Sequence, residues 1–325
     1  MHLQHKGLTV IIEKTATDTA SFRRGISSFP NARAAFKTYL ESLQFHADET
    51  VLLPAFIGWS SREGSGVFDP VAELGLKYAF YGVDEFLHIN LASLERTLAE
   101  ADIKLCVIIH YFGYVDPHYH EAVALARRYG ALVLEDEAHA LYTDVVGGAA
   151  GRLGDAAIFS LHKMLPLKSG GLLCLNGTSA CPETSAADDI ACSLWSFDLY
   201  AIARKRIENA LTLERMLKNS CDTVVPLRPN LNSGEIPQTY PVLIHHVSRD
   251  KLYEMMNAAG YGVVSLYHTL IQQIPEAAYP ASYQLAKQIL NLPLHQDIAA
   301  ADLAAMVHCL LACIAALETA GDCSE

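Results

Sequence analysis

Six short, almost uninterrupted apolar runs, at residues 50–53, 77–81, 105–110, 131–134, 156–160 and 171–175, constrain the fold of this chain most. Each has the length of a strand, and none alternates polar with apolar residues as a half-exposed strand would. Between them, residues 32–43, 91–99 and 119–129 carry apolar positions at helical spacing. Continuous hydrophobic strands separated by helices predict a mainly parallel sheet covered on both faces. In such sheets ligands bind beyond the carboxyl ends of the strands, which says where to look for a site.

The pattern changes after residue 180. Residues 180–187 are rich in Ser, Ala, Pro and Thr and read as a surface loop or boundary. A long helix is expected over 199–219, then a strand at 240–245 and a helix at 249–259. This predicts a large α/β domain, residues 1–205, and a smaller α+β domain, residues 206–325, fitting a chain longer than one ordinary domain. No internal repeat is seen.

Composition narrows the function. With 51% hydrophobic residues and 18% charged, the chain has ample material for a core. Its net charge of −12 argues against a nucleic-acid partner, because phosphate contacts need clustered Lys and Arg. The pairs Arg23-Arg24 and Arg127-Arg128 are too short to change this and read as solvated faces. None of the eight cysteines forms a C-x-x-C pair, so small thiols in a reducing compartment fit better than disulfides or zinc. The first residues lack a secretory pattern, and the apolar stretch 303–317 is expected to be a buried helix too short to cross a bilayer. A cytoplasmic protein without a membrane partner is the expectation.

The chemistry concentrates at the ends of two neighbouring strands. The run LEDEAHA at 134–140 places Asp136 at the end of a buried strand, where a carboxylate is costly unless a cation or strong hydrogen bond meets it. The run FSLHK at 159–163 ends the next strand with Ser160 and places Lys163 three residues on, ahead of the pair Gly170-Gly171. A carboxylate, a hydroxyl and an amine together meet the needs of pyridoxal 5'-phosphate (PLP). The carboxylate keeps the pyridine nitrogen protonated, the amine condenses with the aldehyde, and small or hydroxylated residues receive the phosphate. Taken singly, Asp136 is an ordinary cap, Lys163 a solvated side chain and His139 a structural histidine; the ordered combination is far more specific.

That combination resembles the DegT/DnrJ/EryC1/StrS family of PLP-dependent sugar aminotransferases. So do VLLPAF at 51–56, IHYFG at 109–113 and ILNLPLH at 289–295. The resemblance implies the aspartate-aminotransferase type of fold and a homodimer. It implies that Asp136 pairs with the pyridine nitrogen, His139 lies near the ring's 3-hydroxyl, Ser160 binds the phosphate and Lys163 holds the cofactor covalently. Lys168 fits worse, because the family's lysine precedes the glycine pair by seven residues, the spacing from Lys163 to Gly170.

The chain also departs from the family. Where a Gly-Thr pair usually opens the first large helix at the phosphate, it has Ala32 and Arg33, whose backbone amides and guanidinium remain available. The ring-stacking aromatic, normally four residues after the proline of V-x-x-P, is replaced by Gly58, and Trp59 next to it is assigned to stacking. Two residues are missing between Ser160 and Lys163, and the N-[YF]-R-M segment is not recognisable in 180–204. His268 is assigned to substrate contact. The resemblance implies transfer of an amino group, with glutamate as the expected donor, to a ketone on a nucleotide-linked sugar. A sugar dehydratase, suggested by His162, and a non-catalytic scaffold or regulatory homologue are the alternatives.

Overall fold

The structure, a computed structural model, describes residues 24–177, 193–218 and 220–321. Seven strands form the larger sheet: β1 (Arg24–Phe29), β2 (Thr50–Pro54), β3 (Lys77–Tyr81), β4 (Ile103–Ile109), β5 (Leu132–Asp136), β6 (Ala156–Ser160) and β7 (Gly171–Asn176). Their order is β1-β7-β6-β5-β4-β2-β3. Neighbours from β3 through β6 pair in parallel, whereas β7 runs antiparallel to both β6 and β1. The six predicted strands are all present. The reversal of β7 follows from its connection: a parallel return needs a crossover of about a dozen residues or more, and the segment from Leu161 to Gly170 is too short. Strand β1 was not foreseen; its sequence RGISSF offers only Ile26 and Phe29 as large apolar residues, and it lies on an edge.

Helices Ala32–Ser42, Leu91–Glu100 and Tyr119–Arg128 cover the sheet. Asn31 and Asn90 start the first two by accepting hydrogen bonds from the amides of Ala34 and Ser93, caps worth about 1 kcal/mol each. One core, around Phe36, Leu53, Val107 and Ile158, lies on one face of the sheet. A second, around Leu52, Cys106, Leu94 and Val133, lies on the other. Consecutive residues Leu52 and Leu53 point to opposite cores, which is why these strands are apolar throughout.

Beyond the long helix Leu199–Leu217, strands β8 (Val224–Pro226), β9 (Thr239–Ile244) and β10 (Ile289–Pro293) form a second, antiparallel sheet. It packs against helices Arg249–Ala258 and Ala300–Thr319. The last helix is 20 residues long, longer than the apolar stretch suggested, and is apolar and long enough to cross a membrane by length and composition. Its stripe Leu303, Met306, Leu310, Ile314 and Leu317 is buried in the smaller core. One other expectation changes. Arg24 is not on a solvated face, since its guanidinium pairs with the buried Asp144 at 2.7 Å. Arg206, within the long helix, is buried and donates to the carbonyls of Pro237 and Gln238. Cys106 and Cys174 are buried and Cys221, Cys309 and Cys313 partly so, none of them in a disulfide; Cys181, Cys192 and Cys323 lie outside the described residues.

Candidate active site

Strands β4, β5 and β6 are parallel, so their carboxyl ends bring His110, Asp136 and Ser160 to one edge. Asp136 is 5% exposed, and its carboxylate accepts one hydrogen bond, from the Ala138 amide at 2.9 Å. Burial raises its pKa against the opposing pull of that bond and of Lys163. A buried carboxylate held so sparingly wants a cationic partner, and a protonated pyridine nitrogen is one.

Lys163 closes the single 3-10 turn Leu161–Lys163 directly after β6. Its side chain is exposed as a whole, yet enough protein surrounds the amine to lower its pKa by desolvation, with Asp136 acting the other way. The Nζ atom lies 3.2 Å from Nε2 of His139. The buried imidazole has its pKa driven well below the usual histidine value by desolvation and by Lys163. The Phe112 amide points at Nδ1 of His139, 3.4 Å away, a weak bond that places the ring proton on Nε2. A neutral imidazole therefore faces the amine and donates to it when the amine is unprotonated. Lys168 is exposed too, but among the described residues no contact brings it to His139 or Asp136.

Ser160 is buried, and its Oγ lies 3.4 Å from Nδ1 of His162. Across the β6–β7 pairing it faces Gly171. A Cβ on Gly171 would stand 2.2 Å from the Asn31 carbonyl carbon and 2.5 Å from the Ala32 nitrogen. Glycine there lets the N-terminus of helix Ala32–Ser42 approach the end of the sheet. The Asn31 side chain and carbonyl engage the amides of Ala34 and Ala35, leaving those of Ala32 and Arg33 without partners inside the helix. Ser160 and this helix end form a cradle suited to an anion. The Arg33 guanidinium lies over the Glu63 carbonyl and 3.5 Å from Asp69, partly exposed at the rim. The donor set fits PLP: a carboxylate for the ring nitrogen, an amine for the aldehyde, and a hydroxyl and helix amides for the phosphate.

Two assigned residues are not brought to this cluster. Trp59 is 46% exposed and makes no ring contact among the described residues. His268 is exposed, with Nδ1 2.5 Å from the Ser265 carbonyl. The neighbour of each was overlooked: the ring of Tyr267 packs over Gly58.

Sequence reasoning also missed what lies behind Asp136. Glu135, fully buried, accepts hydrogen bonds from Tyr119 and from the amides of Gly151, Leu153 and Gly154, and meets His110 Nε2 at 2.9 Å. Glu137 completes a buried group with His110 and Glu135 whose ligand-type atoms lie within 4.8 Å of one another, but the oxygens of Glu135 are already filled. Among the described residues neither carboxyl oxygen of Glu137 has a hydrogen bond, Oε1 standing 3.4 Å from His110 Nε2, and burial beside Glu135, Asp144 and Asp136 raises its pKa well above the usual value, against Arg24. A carboxyl whose folded pKa is raised costs no stability below its unfolded pKa of about 4.3, and the cost grows as pH rises toward the folded value. Glu137→Gln is therefore expected to stabilise the protein by about 1–3 kcal/mol near pH 8, with the gain vanishing toward pH 4. Urea denaturation of both proteins at the two pH values checks this; an equal difference at both would refute it.

This sheet order, with an amine and a buried carboxylate at its carboxyl edge, defines a PLP enzyme of the aspartate-aminotransferase fold. Residues 22–180, which include the seven-stranded sheet and the cluster, match the DegT/DnrJ/EryC1/StrS aminotransferase family. The chain is thus a PLP-dependent aminotransferase in kind. It is similar along most of its length to a pleiotropic regulatory protein of Geobacillus stearothermophilus, 22% identical, covering 88% of this chain and 85% of that one. Among solved structures, the aminotransferase TlmJ from Streptoalloteichus hindustanus superposes with a TM-score of 0.73 at 24% identity, covering 90% of this chain and 86% of that one. PseC of Helicobacter pylori, an aminotransferase involved in the biosynthesis of pseudoaminic acid, gives 0.72 at 18%, covering 90% and 87%.

Proposed function

We propose that this chain transfers the amino group of an amino acid, glutamate foremost, to a ketone on a sugar, with Lys163 as the covalent anchor and proton carrier. The observation that carries this reading is the meeting of Lys163, His139 and Asp136 at one strand edge. PLP, when bound, supplies an electron sink for the charge released at the amino acid's Cα. Asp136 keeps the proton on the ring nitrogen that the sink requires. Lys163, its pKa lowered, removes the proton from Cα and returns one on the other side of the reaction. Neutral His139 steadies the amine through Nε2. Ser160, with the amides of Ala32 and Arg33, holds the phosphate and so fixes the ring in register with Asp136.

The sugar acceptor rests on the family, whose match is supported by PseC, an aminotransferase involved in the biosynthesis of pseudoaminic acid. A homodimer is part of the same reading. The test is a half-reaction: PLP-loaded protein mixed with L-glutamate should release 2-oxoglutarate and lose its visible absorbance, and a nucleotide-linked keto sugar should restore it. Bound cofactor with no release from any of a panel of L-amino acids would favour the non-catalytic alternative.

A further inference from the structure

Position 58 has no side chain, and the space that one would fill is taken. A Cβ on Gly58 would stand 3.1 Å from Cδ1 of Tyr267 and 3.4 Å from its Cα, so a side chain at 58 would press on the ring at 267 and compete with it for this space. The ring is enclosed on its inner side by Phe56, stacked at 5.1 Å, and by Tyr111 and Phe112, edge-on at 5.3 and 5.7 Å. Its next neighbour is His139, edge-on at 6.0 Å, the imidazole that touches Lys163. Burial raises the pKa of the phenol, and the Asp136 carboxylate adds to the rise.

Tyr267 is also held there deliberately. Its φ of +65° is a left-handed conformation that a tyrosine adopts only when its surroundings impose it. The chain on either side supplies the constraint. The Leu266 amide donates to the buried Asn291 side chain at 3.2 Å, and Val264 and Asn291 exchange backbone hydrogen bonds. On the other side Leu270 bridges to Gly58, with the amides of Trp59 and Ile271 bonded to the carbonyls of Thr269 and Ile57. The backbone is thus tied to β10 before the ring and to the end of β2 after it.

We infer that Tyr267 is the aromatic wall of the cofactor pocket in this chain, taking the place that a side chain at 58 would occupy, so that cofactor affinity depends on the ring at 267. The inference rests on the PLP reading of the site. It assigns the wall to a residue more than 200 positions downstream of the segment where an aromatic was sought, and leaves Trp59 outside.

The experiment titrates PLP into apoprotein without any amino donor, reading the dissociation constant from absorbance and the environment of the ring from visible circular dichroism. Tyr267→Phe should bind within about twofold of wild type, whereas Tyr267→Leu and Tyr267→Ala should bind about tenfold more weakly with diminished dichroism. Gly58→Phe should also weaken binding, and Gly58→Phe/Tyr267→Ala should recover most of the loss, because the new ring enters the vacated space. Where Tyr267→Ala fails to fold, as judged by far-ultraviolet dichroism, Tyr267→Leu and Gly58→Phe/Tyr267→Leu carry the comparison. Unchanged affinity and dichroism in Tyr267→Leu would overturn the inference, as would losses that simply add in the double variant. A loss in Tyr267→Phe as large as in Tyr267→Leu would credit the hydroxyl and overturn it too. Wild-type protein that binds no PLP would instead bring down the cofactor reading itself.

Discussion

Lys163→Ala will lose amino-group transfer by roughly 10³–10⁴-fold, and the visible absorbance that wild-type protein gains with PLP will be missing. The size follows from the two tasks that converge on one nitrogen. The amine anchors the cofactor and moves the proton at the substrate's Cα, so no neighbour can replace it in both. His139 is the nearest titratable group, 3.2 Å from Nζ, but its pKa is driven too low for it to serve as a base of comparable strength. Lys168 is exposed and lies beyond Pro166 on the loop leading to β7. Absorbance spectra of the two proteins with PLP, followed by single-turnover release of 2-oxoglutarate, make the comparison. A visible band that persists in Lys163→Ala would transfer the anchoring role to Lys168.

Asp136→Asn should lower turnover by about 10²–10³-fold while leaving the apoprotein at least as stable as wild type. Asparagine retains an oxygen for the Ala138 amide but carries no charge to keep a proton on a pyridine nitrogen. The stability half of the expectation follows from the sign of the shift. Burial raises the folded pKa of Asp136, so the ionised carboxylate costs stability as pH rises above its unfolded value of about 3.9, and the amide escapes that cost. Turnover and apoprotein melting measured side by side separate a charge needed for chemistry from one needed for folding. Turnover within tenfold of wild type, or a large drop in apoprotein stability, would remove Asp136 from its assigned role.

Much of this was legible in the sequence because its cause is local. A strand buried on both faces is apolar at every position, so β2, β4 and β5 announce themselves, and the long helix Leu199–Leu217 falls within two residues of its expected end. Asp136, Ser160 and Lys163 come together because each ends or follows a strand of one sheet edge, and sheet edges follow from strand order. What was hidden depends on distant pairing. Arg24 looks like surface until Asp144 is seen beside it, and β1 has no sequence signal because three of its four buried residues are Gly25, Ser27 and Ser28 rather than large apolar side chains. Gly58 read as a loss whose substitute was sought next door in Trp59. Its substitute in space is Tyr267, and nothing in either sequence segment indicates that they touch.

The five contacts gathered by Glu135 have a consequence for how the site meets its ligands. They fasten the end of β5 to the loop at residues 151–154 and to the end of β4, so the backbone bearing Asp136 is fixed before any cofactor arrives. The ordering entropy of this part of the site is settled during folding and need not be supplied again by binding. Amide exchange at Gly151, Leu153 and Gly154 should therefore report global opening of the larger sheet rather than local fluctuation. The cofactor would find its carboxylate on a mount as rigid as the core behind it.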